Sequence, residues 1–360
     1  MSENNKAISI ESLQRMAETY DDTLRMLPYF VLSQTLDELS INFLQVDEKH
    51  KVVVFNRKGG LARPYVTGAD NEVSEGEIGK AIERVLDPQE CYTALKDRIT
   101  NYKKKRVISN RSEKLNRQSK EHPLEMLIVD THIRTIGEDI ISALWHAKRD
   151  NSDKSPMGMF DGFNQQIDKE ITAGEISTAK NNLFNTGEIK APENESDMEA
   201  FNILVEFIRS ANPFLRRSGV LFITHDALFH AMDALGNKLK YKNALEESVF
   251  VEHLRGITKA PNLQIISHPA LGTGSRMLFT GRDNLDFGLG TLGDEQFVQI
   301  RSPYEDPNIV QFWMQWSAGT RILHLHAKEF LVNDQTNSGL DLFGDYIAPA
   351  QGQEPEGPQE

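Results

Sequence analysis

Apolar and polar positions between residues 276 and 328 alternate over short distances. Four apolar runs (277–279, 297–300, 309–316 and 322–325) are separated by clusters of Gly, Pro, Asn and Asp. That pattern predicts strands joined by tight turns. In the third run Val310, Phe312, Met314 and Trp316 fall on one face, and Gln311, Gln315 and Ser317 on the other. Trp313 breaks the alternation by standing on the polar face, so that face is expected to meet a surface of its own.

Helical periods dominate elsewhere. Ile10, Leu13, Met16, Ala17, Tyr20 and Leu24 recur at three- and four-residue steps, which predicts a helix with one apolar side, ended by Pro28. Phe30, Val31, Leu32, Leu36, Leu39 and Phe43 form a second apolar segment that needs a partner surface, and an arm laid on a neighbouring subunit would supply it. Residues 52–55 and 61–66 read as strands of a hairpin turning at Gly59-Gly60. Pro123 opens the longest helical pattern, with Leu124, Leu127, Ile128, Thr131, Ile136, Ile140, Ile141, Leu144 and Trp145 in phase. At about 1.5 Å per residue its roughly 27 residues predict a spine of about 40 Å. Residues 150–162 are turn-rich, and the stretch after them is weakly patterned. Ser196-Asp197-Met198-Glu199 has the spacing of a capping box ahead of Phe201, Leu204, Val205 and Ile208. An apolar strand at 220–224, a helix at 226–235 stopped by Gly236, and a strand at 263–267 complete an α/β unit within an α+β chain.

Charge divides the chain further. Residues 69–90 hold seven acids and two bases, whereas 96–121 hold ten bases and three acids, and few large apolar residues interrupt either segment. Such core-poor excursions lose conformational entropy when ordered, so another surface is expected to order them. Asp70, Glu72, Glu75 and Glu77 are accordingly candidate inter-subunit contacts, with Lys103, Lys104, Lys105 and Arg106 as their counterparts. Trp313 is a further candidate. Head-to-tail contacts of that kind close into rings. The segment 333–360 has six acids, no Lys or Arg and three prolines, and its last part is read as disordered.

The 360 residues are enough to bury a sizeable core in two or three units. No window approaches the roughly 18 apolar residues of a membrane span, and the first residues lack the pattern of a secretory signal, so synthesis in the cytoplasm is expected. With one cysteine, Cys91, internal disulfides and multi-cysteine metal sites are excluded. A net charge of −13 makes tight sequence-specific DNA binding a poor expectation.

Catalytic chemistry finds little footing. His324 and His326 would share a strand face but lack a third ligand, so no metal is expected. Neither Asp130 with His132 nor His225 with His230 has a spacing that brings the pair together on a helix. Gly272-Thr273-Gly274-Ser275 lacks the lysine of a phosphate loop and leads into a strand, so it reads as a turn. Cys91 has no activating base in the sequence. No catalytic residue, cofactor or metal is predicted.

The order of motifs points to a family. A strand ending in Phe279-Thr280 is followed by Arg282-Asp283-Asn284-Leu285 and Phe287-Gly288, an acidic turn at Asp294, and Tyr304-Glu305-Asp306-Pro307. A long strand comes next, and Gly319 opens a last one. This order resembles the C-terminal part of tailed-phage major capsid proteins of the Hong Kong 97-type fold, and the likeness extends over about residues 9–332. It implies an N-terminal arm (1–48), an extended loop (49–122), a peripheral domain with the spine helix (123–195) and an axial domain (196–280). Return strands (281–332) and an acidic tail (333–360) follow. The implied function is self-assembly as hexamers and pentamers into the icosahedral head of a tailed phage or prophage. The head would enclose double-stranded DNA held without sequence specificity. Implied partners are the chain itself, a portal and a separate scaffolding protein, because the arm begins almost at once; the implied location is the virion. Alternatives are an encapsulin-like compartment and, in a different class, an enzyme with an unrecognised site. Lys103, Lys104 and Lys105 lie where some relatives form a lysine–asparagine crosslink, but no such pair can be nominated.

Overall fold

The structure, a computed structural model, describes residues 10–19, 32–33, 35–46, 48–57, 79–98, 124–240, 245–290, 298–301 and 309–339. In chain order these form α1 (Ile10–Thr19), β1 (Asn42–Gln45), β2 (His50–Arg57), β3 (Gly79–Leu86), β4 (Gln89–Arg98), α2 (Leu124–His146) and α3 (Phe163–Thr172). Then come β5 (Leu183–Phe184), α4 (Glu199–Ser210), α5 (Pro213–Ser218), β6 (Val220–Ile223), α6 (His225–Leu239), α7 (Glu247–Thr258) and β7 (Gln264–Ile266). The chain closes with β8 (Thr273–Gly274), β9 (Met277–Thr280), β10 (Leu285–Gly290), β11 (Val298–Arg301), β12 (Ile309–Ile322), β13 (Phe330–Asn333) and β14 (Asn337–Ser338).

Two five-stranded sheets carry the fold. In the first, β12 is the central strand: β10 and β11 pair with one side of it in succession, β4 pairs with the other, and β1 extends the sheet by pairing parallel to β10. The second has the order β5-β13-β9-β6-β7. The spine helix α2 has 23 residues, about 35 Å, slightly shorter than its sequence pattern implies. It lies on the first sheet, where His132 meets Phe312 edge to face at 4.7 Å, and ends on the second, where the Trp145 ring lies 5.2 Å from Phe222. Residues of α2 share one apolar core with the inner face of β12. A second core lies between the other sheet and α4, α6 and α7.

The meander differs from the sequence expectation in one respect. Ile309–Ile322 is a single strand of 14 residues, and Gly319 lies inside it instead of opening a new one. Its role is close approach. Gly319 pairs with Gly288 of β10, and a Cβ at 319 would lie 3.1 Å from the Asp87 carbonyl oxygen; one at 288 would lie 2.7 Å from Leu86 Cδ2. The Leu86–Pro88 corner between β3 and β4 therefore crosses the sheet where two facing glycines leave room.

The described part of the apolar N-terminal segment is covered within the same chain, where a neighbour was expected to cover it; Phe30 and Val31 lie outside the described residues. Ala17, Leu32, Leu36, Leu39 and Ile41 are buried in the first core, and the Gln14 amide donates to the Ile300 carbonyl at 2.9 Å. Helix α4 begins at Glu199, but its start is held by Asp197, whose carboxylate accepts from the Glu199 and Glu193 N–H groups, and not by Ser196. Those bonds hold the Asp197 carboxyl below its usual range. Helix α6 runs through Gly236 to a left-handed Lys240, because Gly236 faces Leu245 in the core. Helix α3 falls in the weakly patterned stretch; Phe163 and Ile167 bury its inner side. The extended-loop segment contributes three strands. The β2 strand pairs with β3 over eight residues, and β4 joins the first sheet over ten. The 61–66 strand of the expected hairpin lies outside the described residues.

One ion pair joins five strands. Asp286 and Arg321 are 4% and 3% exposed, with Arg321 Nη2 and Nε at 2.5 and 3.1 Å from Asp286 Oδ2. Asn42 of β1 donates to Asp286 Oδ1 at 3.1 Å, and Arg321 Nη1 donates to the carbonyls of His50 in β2, at 3.0 Å, and Arg84 in β3, at 3.5 Å. A buried pair adds little over an apolar substitute, but losing one partner strands a charge. Arg321→Met is therefore expected to lower stability by about 3 to 5 kcal/mol, and adding Asp286→Leu to restore most of it. Urea unfolding of the two variants measures both; equal losses would refute the coupling.

Burial lowers the pKa of His146, at the end of α2, and of His268. Both side chains bind fewer protons folded than unfolded, so stability is fully present above about pH 6.5 and declines as pH falls below it. Replacing both with Gln should flatten the urea midpoint between about pH 7 and 5.5. An unchanged slope would show that other groups govern it.

Candidate assembly surfaces

The eight charged candidates divide by location from the single aromatic one. Asp70, Glu72, Glu75, Glu77, Lys103, Lys104, Lys105 and Arg106 lie outside the described residues. What is described is where their segments attach. In sequence the acidic residues fall between Arg57 and Gly79, the paired ends of β2 and β3, and the basic ones between the end of β4, paired with Ile309, and the start of α2.

Trp313 stands on the outer face of the first sheet, in register with Gln299 of β11 and Ala94 of β4. Its ring stacks on Tyr92 at 5.1 Å between centroids, and Tyr92 is 64% exposed. The surface that the broken alternation called for is thus supplied in part by Tyr92, while the pair as a whole faces outward. Around it lie Gln299, Gln311 and Gln315. Sequence reasoning missed Tyr92 because β4 was hidden inside a charged excursion, although its alternation of Tyr92, Ala94 and Lys96 against Cys91, Thr93 and Leu95 was there to be read.

Two further features face outward. Val53 and Val85 are exposed on one side of the β2–β3 hairpin, beside the surface pair Lys51–Glu83. The edge of β4 away from β12 has no partner strand among the described residues, which leaves a row of backbone donors and acceptors available for pairing.

The positions weighed for chemistry are accounted for structurally. Gly272 has φ +71°, and a Cβ there would meet the Ser338 carbonyl oxygen at 2.0 Å; the Gly272–Ser275 stretch, expected as a turn, is shaped by the pairing of β8 with β14. His324 and His326 lie beyond β12, in a loop and not on a strand, and His324 Nε2 is 3.7 Å from Glu329 Oε2. Among the described residues no group of three His, Cys, Asp or Glu side chains could hold a metal. Burial pushes the Cys91 thiol up to about 11, so it is protonated at neutral pH. A cleft of about 240 Å³ opens between the hairpin and residues 323–327, and its cations Arg84 and Lys180 are held by Glu170 and Glu175. No helix of the described chain is long and apolar enough to cross a membrane.

No protein-family model matches the sequence, and no curated protein matches it significantly. Solved structures do. A chain of the satellite phage P4 procapsid, a particle that includes the size determination (Sid) protein, superposes with a TM-score of 0.50 at 14% identity, covering 85% of this chain and 89% of that one. The virus-like particle from Pyrococcus furiosus has a TM-score of 0.43 at 11% identity, covering 87% and 98%. The capsid of a native GTA particle has 0.43 at 12%, covering 84% and 90%. The likeness to the procapsid chain, over most of both chains, shows that this protein shares its fold, a phage capsid fold.

Proposed function

We propose that the chain is a structural subunit that assembles with copies of itself, as hexamers and pentamers, into the icosahedral head shell of a tailed phage or prophage. The observation that carries this reading is the likeness in fold to a procapsid chain over 85% of the present one. In this reading the sheet around β12 with α2 is the peripheral domain of a Hong Kong 97-type subunit, and the sheet around β9 with α4, α6 and α7 is the axial domain. The hairpin β2–β3 is the root of the extended loop. The shell encloses double-stranded DNA, and the subunit meets a portal and a separate scaffolding protein during assembly. Its role is mechanical, not catalytic.

Contacts between unlike patches suit such a shell, because a head-to-tail interface closes into rings. The outward Tyr92–Trp313 pair, the exposed Val53 and Val85, and the free edge of β4 are surfaces a neighbour would cover. Asp70, Glu72, Glu75 and Glu77 of one subunit are proposed to meet Lys103, Lys104, Lys105 and Arg106 of the next. Each screened pair contributes only about 0 to 1 kcal/mol, but several per interface set register.

Size-fractionated protein examined by negative-stain microscopy is expected to show rings or closed shells. A strictly monomeric chain that turns over a substrate would sink the proposal. Reversing the four charges from Lys103 to Arg106 should cut shell yield and change its dependence on salt; unchanged yield and salt response would remove the charge pairing. Trp313→Ser removes an outward aromatic stack, so it should cost the subunit only about 1 kcal/mol in urea unfolding while impairing assembly more strongly. A stability loss above about 3 kcal/mol, in the range of core truncations, would return the ring to the subunit core.

A further inference from the structure

At one end of the second sheet four strands finish in register. Phe330 of β13 pairs with Thr280 of β9, Thr280 with Val220 of β6, and Val220 with Gln264 of β7. Each of the segments just outside this row contributes cations. They are Lys328 before β13, Arg282 after β9, Arg216 and Arg217 before β6, and Lys259 before β7. Arg217, Lys259, Arg282 and Lys328 are exposed. None of the five belongs to an ion pair among the described residues. Lys328 Nζ stands 5.4 Å from the centre of the Phe214 ring, which is 67% exposed, so α5 and the turn before β13 share one surface.

Carboxylates at this end are fewer. Asp283 and Asp37 line a shallow cleft with Arg282, and Glu329 faces His324. Two nearby arginines serve the fold itself: Arg209 donates to the Ile257 carbonyl, and Arg255 to that of Leu263, both at the end of α7. The remaining five cations have no such duty, and they converge in a chain whose net charge is −13.

We propose that this end of the sheet binds the phosphate backbone of nucleic acid without reading its sequence. Three strand spacings of about 4.8 Å place the ends of β13 and β7 about 14 Å apart. That span covers about four base-pair rises along the axis of a duplex, at about 3.4 Å each. The cations arise from four separate segments, and Arg217, Lys259, Arg282 and Lys328 are exposed, which suits a repeating phosphate chain better than a single small anion. Lysine and arginine contacts to phosphate carry no sequence information, so binding is salt-dependent and indifferent to sequence. The inference deepens the shell function proposed above, since it gives the enclosed DNA a point of contact.

The test uses unassembled subunits and a fluorescent mixed-sequence duplex of about 30 base pairs, with anisotropy measured from about 50 to 200 mM salt, where phosphate contacts dominate affinity. The parent chain is expected to bind, with affinity falling linearly on logarithmic axes. Arg217→Gln/Lys259→Gln/Lys328→Gln changes three exposed side chains; it should weaken binding at least about tenfold at low salt and reduce the slope by about 2 to 3. Lys148→Gln/Lys154→Gln/Lys190→Gln makes the same change in net charge elsewhere and should leave the slope unaltered. Matching thermal midpoints confirm that both variants fold. No binding by the parent, or an equal slope for the first variant, overturns the proposal. So does displacement of the duplex by an oligoglutamate of equal charge, which would make the face a site for an acidic peptide. Absence of shells from the parent would instead refute the assembly reading, and that is scored separately by microscopy.

Discussion

The structure depends on covering a helix that is apolar on nearly every side toward its C-terminus. From Ile136 to Trp145, α2 buries Ile136, Ile140, Ile141, Ala143, Leu144 and Trp145, more than a single apolar stripe would allow. A helix buried all round needs partners on more than one side. One sheet cannot supply them. Trp145 shows the solution, because its ring packs against Phe163 of α3 on one side and Phe222 of the second sheet on the other, at 5.1 and 5.2 Å. Each aromatic contact is worth about 0.5 to 1.5 kcal/mol beyond area buried. The same helix, near its N-terminal half, carries His132 against Phe312 of the first sheet. The two sheets are therefore held to a common axis.

Polar groups then fix how the pieces meet. Arg321 with Asp286 ties β10 and β12 to the hairpin and to β1. Arg276, 4% exposed, ties α3 to the last described segment, with Nη2 2.6 Å from Asp168, Nε donating to the Gln335 carbonyl, and its backbone N–H donating to Asn337. Asn284 closes the turn between β9 and β10 by bonding Thr280 and both the N–H and carbonyl of His324. These residues sit at junctions between elements, where apolar packing alone would leave register open. Buried and fully bonded, they select one arrangement at the expense of tolerance to substitution.

What faces outward is of two kinds. The first sheet presents an aromatic pair among glutamines and a free strand edge, a surface suited to another protein. The end of the second sheet where Arg217, Lys259, Arg282 and Lys328 stand exposed is cationic.

Much of this was legible from one sequence. The spine helix, the buried stripe of α4 and the inward face of β12 follow from a period of 3.6 or 2, and strands β6, β7 and β9 from short apolar runs. The motif order from Phe279 to Gly319 was enough to suggest the family. Tertiary contacts decided the rest. Gly319 looked like a strand opening because a glycine marks either a turn or a close approach, and only the crossing of Asp87–Pro88 tells which. The first apolar segment could have lain on a neighbour or on its own chain, since periodicity gives a sticky face without naming what covers it. Strands β3 and β4 were hidden because their charges follow solvent exposure on one face, and net charge over a window averages that face with the buried one. The Tyr92–Trp313 pair and the five-strand junction at Arg321 join residues more than 200 positions apart or on strands not yet recognised. Local sequence fixes which face of an element is apolar; only the folded chain decides which faces meet.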